Sequence, residues 1–278
     1  MPIITLTTDF GEKDHFVGAI KGAIYNESEN LKIVDITHSI NPFNIQEAAY
    51  ILQNAYQSFP KGSIHIIGVD AELNAENKHI AVKLNEHFFI GADNGILTLL
   101  ASEFRPEKVV EINIHDRVES VFPVLDVFVK VAAHIARGGT LEVIGKVTDR
   151  LKPIKQLMPI VSSDQTQISG NVIYIDNYGN VVTNISKKLF NGIQKNRKFE
   201  LSARNHKFTV IYDKYSDIVN FNLDDNKRDY DGKKLAIFNS QNNIEIAIYR
   251  SNLNTVGGAS SLLGLDYRDT VSIKFIED

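Results

Sequence analysis

The sequence predicts two structural units: an α/β unit with a largely parallel, layered sheet over residues 1–150, and a smaller all-β, barrel-like unit over residues 160–278. Three observations lead there. Up to about residue 150, short apolar runs alternate with segments of helical periodicity. Residues 148–159 then carry two prolines and mixed charge, and read as a linker. Beyond them, short strand-like runs follow one another, punctuated by glycine and asparagine with few helices between.

Each element has its own signal. Residues 3–8, all apolar or threonine, read as a buried strand that runs into Asp9-Phe10-Gly11, and residues 15–24 have near-helical apolar spacing. Residues 31–36 form a second strand. Residues 44–59 form an amphipathic helix with Ile45, Ala48, Ala49, Leu52 and Ala55 on one face. Residues 63–69 are a strand ending at Asp70, and residues 80–84 and 87–91 suggest a hairpin. Helices are expected at 95–102 and 127–136, the latter stopped by Gly138-Gly139. In the second unit, strands are expected at 166–175, 181–184, 198–203, 208–212, 234–239, 244–249 and 270–275, with a solvated polar loop at 217–234.

Composition narrows the function. With 278 residues, 43% of them hydrophobic and 23% charged, the chain can bury a sizeable core. A net charge of −4 without a strong Lys/Arg cluster argues against nucleic acid or an anionic membrane as partner. The absence of cysteine excludes disulfides, thiol nucleophiles and Cys-ligated zinc, and fits a reducing compartment. No apolar run approaches the roughly 18 residues of a membrane span. The chain opens on a strand rather than a basic and apolar leader, so no signal peptide is expected and the expected setting is cytoplasmic.

Three loops of the first unit draw attention: Asp9-Phe10-Gly11, Val69-Asp70 and Gly91-Ala92-Asp93-Asn94-Gly95. Carboxylates at the carboxyl ends of strands sit where open α/β sheets place ligands. Asp9 is equally readable as a helix cap. Two carboxylates on one sheet edge repel each other, which makes sense if a cationic or hydroxyl-rich ligand lies between them. The second unit offers Asp176-Asn177-Tyr178-Gly179-Asn180 followed by Val181-Val182-Thr183-Asn184, more polar groups than a plain hairpin turn needs. Further blocks are Phe238-Asn239-Ser240, Ile244-Glu245-Ile246-Ala247 and Gly257-Gly258-Ala259.

These blocks in this order (TTDFG, VGAIKG, DITHSI, GADNG, VAAHIARGG, IDNYGNVVTNI, NS and IEIA) resemble the S-adenosyl-L-methionine (SAM) hydroxide adenosyltransferase family, relatives of the SAM-dependent fluorinases and chlorinases. The resemblance runs over essentially the whole chain. It implies an N-terminal α/β domain, a C-terminal β-barrel domain, and a homotrimer with SAM between neighbouring subunits. SAM is then substrate, and neither a cofactor nor a metal is implied. By the same resemblance Asp9 binds the ribose hydroxyls, Asp176 faces the methionine amino group, and Tyr178 and Asn180 pack on and bond the adenine. Ser240 lies near the methionine moiety, Phe122 lines the substrate site, and Ala259 offers main-chain groups to adenine, although Gly258 stands where the family usually has asparagine.

The resemblance is broken at the water-preparing residues. Hydrolases of the family use an Asp-Arg-His set, of which Asp70 matches the aspartate. Asn77 stands at the arginine position, Pro123 at the histidine position, and Leu125 where an arginine follows it. Proline can neither donate nor titrate. Lys78 and His79 lie close enough in sequence to substitute if the loop shifts; otherwise they are solvent-facing. A halogenase version is disfavoured, because Pro123 and Val124 offer no polar donors for a halide. The other histidines, His15, His38, His65, His87, His115, His134 and His206, show no metal-ligand spacing and read as surface or packing residues. The expectation is a SAM hydrolase that yields adenosine and L-methionine, with a catalytically impaired SAM- or adenosine-binding protein as the rival.

Overall fold

The computed structural model describes residues 2–101, 104–114, 120–228 and 232–276. The chain divides into two compact units, Met1–Lys155 and Gln156–Asp278. The first is built from β1 (Ile3–Thr8), α1 (Phe16–Glu27), β2 (Lys32–Thr37), α2 (Ile45–Tyr56) and β3 (Ile64–Gly68). A hairpin of β4 (His79–Leu84) and β5 (His87–Ala92) leads to α3 (Ile96–Leu100), β6 (Lys108–Ile112), α4 (Val129–Ala136) and β7 (Gly145–Thr148).

The strand order is β2-β1-β3-β5-β4-β6-β7. The pairs from β2 to β5 are parallel, and those from β5 to β7 antiparallel. The inner parallel strands β1, β3 and β5 are buried on both faces because helices cover both. On one side Ile4, Leu6, Ile64 and Ile66 meet Ile20 and Ile24 of α1 and Val131 and Ile135 of α4. On the other, Ile67, Val82 and Phe89 meet Ala48, Ala49 and Leu52 of α2 and Ile96 and Leu97 of α3. Helix α2 begins where the Asn44 side chain accepts from the Glu47 amide, and its apolar stripe then follows the helical period.

Several details depart from the sequence expectation. Helix α4 is preceded by a π-helical turn, Val124–Phe128, so the predicted helix at 127–136 starts earlier. Helix α3 ends sooner than residue 102, and both Ser102 and His115 lie outside the described residues. Strands β6 and β7, short and near the sheet edge, were not anticipated. Residues 149–155 are more than a linker: Leu151 and Ile154 pack against the core of the first unit.

The second unit contains β8 (Ile160–Val161), β9 (Gln167–Ile175), β10 (Val181–Ser186), α5 (Lys187–Gln194), β11 (Lys198–Ala203) and β12 (His206–Phe208). It continues with β13 (Lys234–Phe238), β14 (Asn243–Ile248), α6 (Ala259–Leu262) and β15 (Thr270–Ile276). The order β12-β11-β15-β9-β10-β14-β13, with β8 on β9, makes a nearly closed, antiparallel, barrel-like sheet. The strand expected at 208–212 stops at Phe208, and Tyr212 forms only an isolated bridge to Ile237. Helix α5 interrupts the expected all-β pattern. It is capped by the Ser186 side chain, and its Phe190 is buried against Phe199, Phe238 and Phe275. Among the described residues no helix is long and apolar enough to cross a membrane.

Candidate functional site

The chain passes from β1 to β2 on one side of β1, then to β3 on the other, so the strand order reverses at the β1–β3 boundary. Such a reversal opens a crevice outside the carboxyl ends of the strands. Thr8 pairs with Gly68 there, and Asp9 and Asp70 emerge side by side. Asp9 does not cap α1: its Oδ2 accepts from the Phe43 amide at 2.9 Å, and α1 starts behind His15 without a side-chain cap. Burial pushes the Asp9 carboxyl above its ordinary value; bonds from the Phe43, Asp9 and Asp70 amides work against this, and the charge of Asp70 is the smallest contribution to the rise. Two mutually repelling carboxylates thus share the crevice.

Aromatic rings flank it. Phe122 meets Phe10 and Phe16 edge-on, with ring centroids 5.5 and 5.3 Å apart. His38 braces the same turn. Its carbonyl accepts from the Gly11 amide at 2.7 Å, Nδ1 lies 2.8 Å from Thr8 Oγ1, and Nε2 lies 3.1 Å from Asp35. It is a packing histidine, as expected.

In the Gly91–Gly95 motif Asp93 Oδ1 accepts from the Lys152 amide, and Asn94 holds the Asp70 loop. Asn94 Nδ2 donates to the carbonyls of Val69 and Asp70, at 2.9 and 3.2 Å, while its Oδ1 accepts from Ile96. Asp70 itself has φ of 45°, a left-handed conformation uncommon outside glycine. Asn77, 8% exposed, accepts from Lys152 Nζ at 2.9 Å. Lys78 is exposed, but His79 is not solvent-facing. Its buried ring packs edge-on to Phe128, and Nε2 donates to the Ala71 carbonyl beside Asp70. Pro123 caps the π-helical turn, and Leu125 packs against the core.

In the second unit, one turn is organised by Asp176. Its Oδ1 accepts from the Tyr178 and Asn180 amides, both at 2.8 Å, and its Oδ2 from Asn180 Nδ2 at 3.0 Å. Gly179 takes φ of 77°, and Tyr178 is 62% exposed. The start of α6 closes on this turn: Ser260 donates its amide to Gly179, and Ala259 is fully buried. The glycine at 258 has a steric reason. A Cβ there would lie 2.4 Å from the Tyr178 carbonyl oxygen and 2.7 Å from Gly179 Cα. The carbonyl of Ala259 is committed to Leu263 within the helix.

Asp176, Tyr178, Asn180 and Ala259 are therefore neighbours, whereas exposed Ser240 sits in the β13–β14 turn at the other end of β14. Between them lies a residue given no role in advance, Glu245. It pairs across the sheet with Val182 and Ile237, is 4% exposed, and accepts a hydrogen bond from Tyr215 Oη. Burial pushes its carboxyl up, and Asp176 adds to this. A single acid between Ile244 and Ile246 was the available signal. Among the described residues no group of three or more His, Cys, Asp or Glu side chains is placed to hold a metal ion.

Comparison with known proteins gives a consistent family. Residues 4–145 match the SAM hydroxide adenosyltransferase N-terminal domain and residues 170–272 the corresponding C-terminal domain. The chain is 31% identical to the (R)-S-adenosyl-L-methionine hydrolase of Methanocaldococcus jannaschii, over 98% of this chain and 96% of that one. A fluorinase of Actinopolyspora mzabensis is 24% identical, over 67% of this chain and 72% of the relative. A crystal structure of an uncharacterised conserved protein from Thermotoga maritima superposes with a TM-score of 0.82 at 28% identity, covering 98% of this chain and 99% of that one.

Proposed function

The chain belongs to the SAM hydroxide adenosyltransferase family, and from that premise we propose that it binds SAM and hydrolyses it to adenosine and L-methionine. The observation that carries the reading is the pair Asp9 and Asp70, side by side where the strand order reverses, with Asp9 held by the Phe43 amide. In this reading Asp9 accepts from the ribose hydroxyls, a task for an ionised carboxylate. Asp176 faces the methionine ammonium, Tyr178 and Asn180 hold the adenine, Ala259 lies beside it, Ser240 lies near the methionine end, and Phe122 walls the reacting carbon. The protein works as a homotrimer with SAM between neighbouring subunits, in the cytoplasm.

The chemistry asks little of the protein. A water oxygen attacks ribose C5′ in line, the C5′–S bond breaks, and its electron pair returns to sulfur as neutral methionine leaves. The proton of the attacking water passes to solvent. Because sulfonium is already a good leaving group, positioning and desolvation supply most of the rate. Asp70 orients the water.

Asn77 and Pro123 favour a second reading, a SAM- or adenosine-binding protein without turnover. Incubation with each sulfonium epimer of SAM, followed by chromatography of adenosine and methionine, decides between the two. Equimolar release of both products, fastest with the (R) epimer named for the archaeal relative, supports hydrolysis. Binding by calorimetry without product refutes it. Binding of neither SAM nor adenosine removes both readings, since a ligand that binds only the native state must raise its apparent stability.

A further inference from the structure

The segment leaving the first unit, residues 149–155, is tied at three points around Lys152. Its amide donates to Asp93 Oδ1 at 2.8 Å, its carbonyl accepts from Thr98 Oγ1 at 2.7 Å, and its ammonium donates to Asn77 Oδ1 at 2.9 Å. Ile154 lies so close to Gly95 that a Cβ there would meet its Cδ1 at 2.9 Å. An exposed lysine pays side-chain entropy for any fixed contact. Here the main chain on either side is already fixed and the side chain half-buried, so only the stem needs ordering.

The acceptor is equally well fixed. Asn77 is buried, its amide donates to Asn74 Oδ1, and Asn74 returns its own amide to the Asn77 carbonyl. This closed turn ends the loop that begins at Asp70. The near end of that loop is held by Asn94 and His79, on the carbonyls of Val69, Asp70 and Ala71. A left-handed Asp70 persists only if its surroundings determine it. Lys152 is the cationic clamp at the far end.

We propose that Lys152 is a positioning residue for the hydrolysis: through Asn77 it fixes the far end of the Asp70 loop. The proposal rests on the hydrolase reading for its catalytic consequence, and on the geometry alone for its structural one. Nothing in the sequence pointed to Lys152, which lies in a segment that reads as linker.

The test combines steady-state turnover of SAM with amide hydrogen exchange. Lys152→Met keeps the stem and removes the charge. It is expected to lower kcat by about 10- to 100-fold, with KM moving by less than about twofold. Lys152→Arg is expected to restore kcat to within about threefold of wild type. Asn77→Ala should lower kcat similarly and add little in the double variant, because both act through one bond. Exchange in residues 71–77 should accelerate in the Met and Ala variants while the 9–11 turn keeps its protection. Wild-type kcat in Lys152→Met, or additive losses in the double variant, overturns the proposal. If the wild type binds adenosine but never releases it from SAM, the hydrolase reading fails and exchange alone decides. Unchanged exchange in 71–77 then overturns the Lys152 role, and acceleration upholds it. Should Lys152→Met not fold, Asn77→Ala alone gives the same readouts.

Discussion

Asp9→Asn keeps the shape of the side chain and removes its charge. The Phe43 amide keeps an acceptor, since the asparagine carbonyl can take the place of Oδ2. Binding should suffer nonetheless. A hydrogen bond to a charged acceptor contributes about 1.5–3 kcal/mol, so SAM and adenosine should both bind roughly 10- to 150-fold more weakly. Stability should move the other way. The Asp9 carboxyl is raised by burial, against the amide bonds it accepts, so its ionised form opposes folding at neutral pH. That unfavourable contribution is absent below the ordinary aspartate value of 3.8 and complete once the pH exceeds the raised folded one. The ligand-free asparagine variant should therefore melt higher than wild type at pH 7, and the difference should vanish as both are acidified. Calorimetric titration with each ligand, and thermal unfolding of the free proteins at pH 7 and pH 3, measure the two effects. A variant that binds both ligands like wild type would refute the ribose role. One that melts lower at pH 7 would refute the electrostatic picture of the crevice.

Asp176→Asn, which keeps an acceptor for the Tyr178 and Asn180 amides and removes the charge, should weaken SAM far more than adenosine, because adenosine lacks the amino-acid part; equal losses in calorimetry would contradict that placement. Gly258→Ala forces a Cβ to within 2.4 Å of the Tyr178 carbonyl oxygen. It should cost about 1–3 kcal/mol by overpacking and weaken adenosine binding, as read by denaturant unfolding and titration. His65 is fully buried, hydrogen-bonded to Thr5 and His87, and held down to about 3 by burial first and by His87 second. The unfolded chain takes up a proton below about 6.5 that the native chain refuses, so stability falls from pH 6.5 towards 3, by about 2 kcal/mol at pH 5. His65→Gln should flatten that slope in urea unfolding between pH 7 and 5, and an unchanged slope would exclude His65 as its source.

The features legible in the sequence are those written in local order. An apolar run ending in a carboxylate announces both β1–Asp9 and β3–Asp70, and the Asp176–Asn180 turn shows its hydrogen-bonding groups within five residues. What stayed hidden depends on distance along the chain or on very short elements. Tyr215 reaches Glu245 across thirty residues, and Lys152 reaches Asn77 across seventy-five. No periodicity encodes such contacts. Strand β7 has only four residues, too few for alternation to register. Helix α5 did leave signals, a Ser186 cap and left-handed Lys195 and Asn196 after it, but these are outweighed by the strand-rich surroundings.

By the resemblance, Asp70 matches the water-preparing set while Asn77 departs from it, and the structure gives a physical reason why the two can part. The Asp70 loop is fixed at its near end by the strand and Asn94 and at its far end by Lys152 on Asn77, while the residues between need only return to β4. A loop anchored at its two ends can change its interior residues without moving the first of them. The turn at Asp176 has no such slack, because its own side chain bonds the very amides that define it. On the proposed reading, recognition of the nucleoside is therefore built into the shape of the backbone. On the same reading, preparation of the water rests on a loop whose far end is held from outside by Lys152.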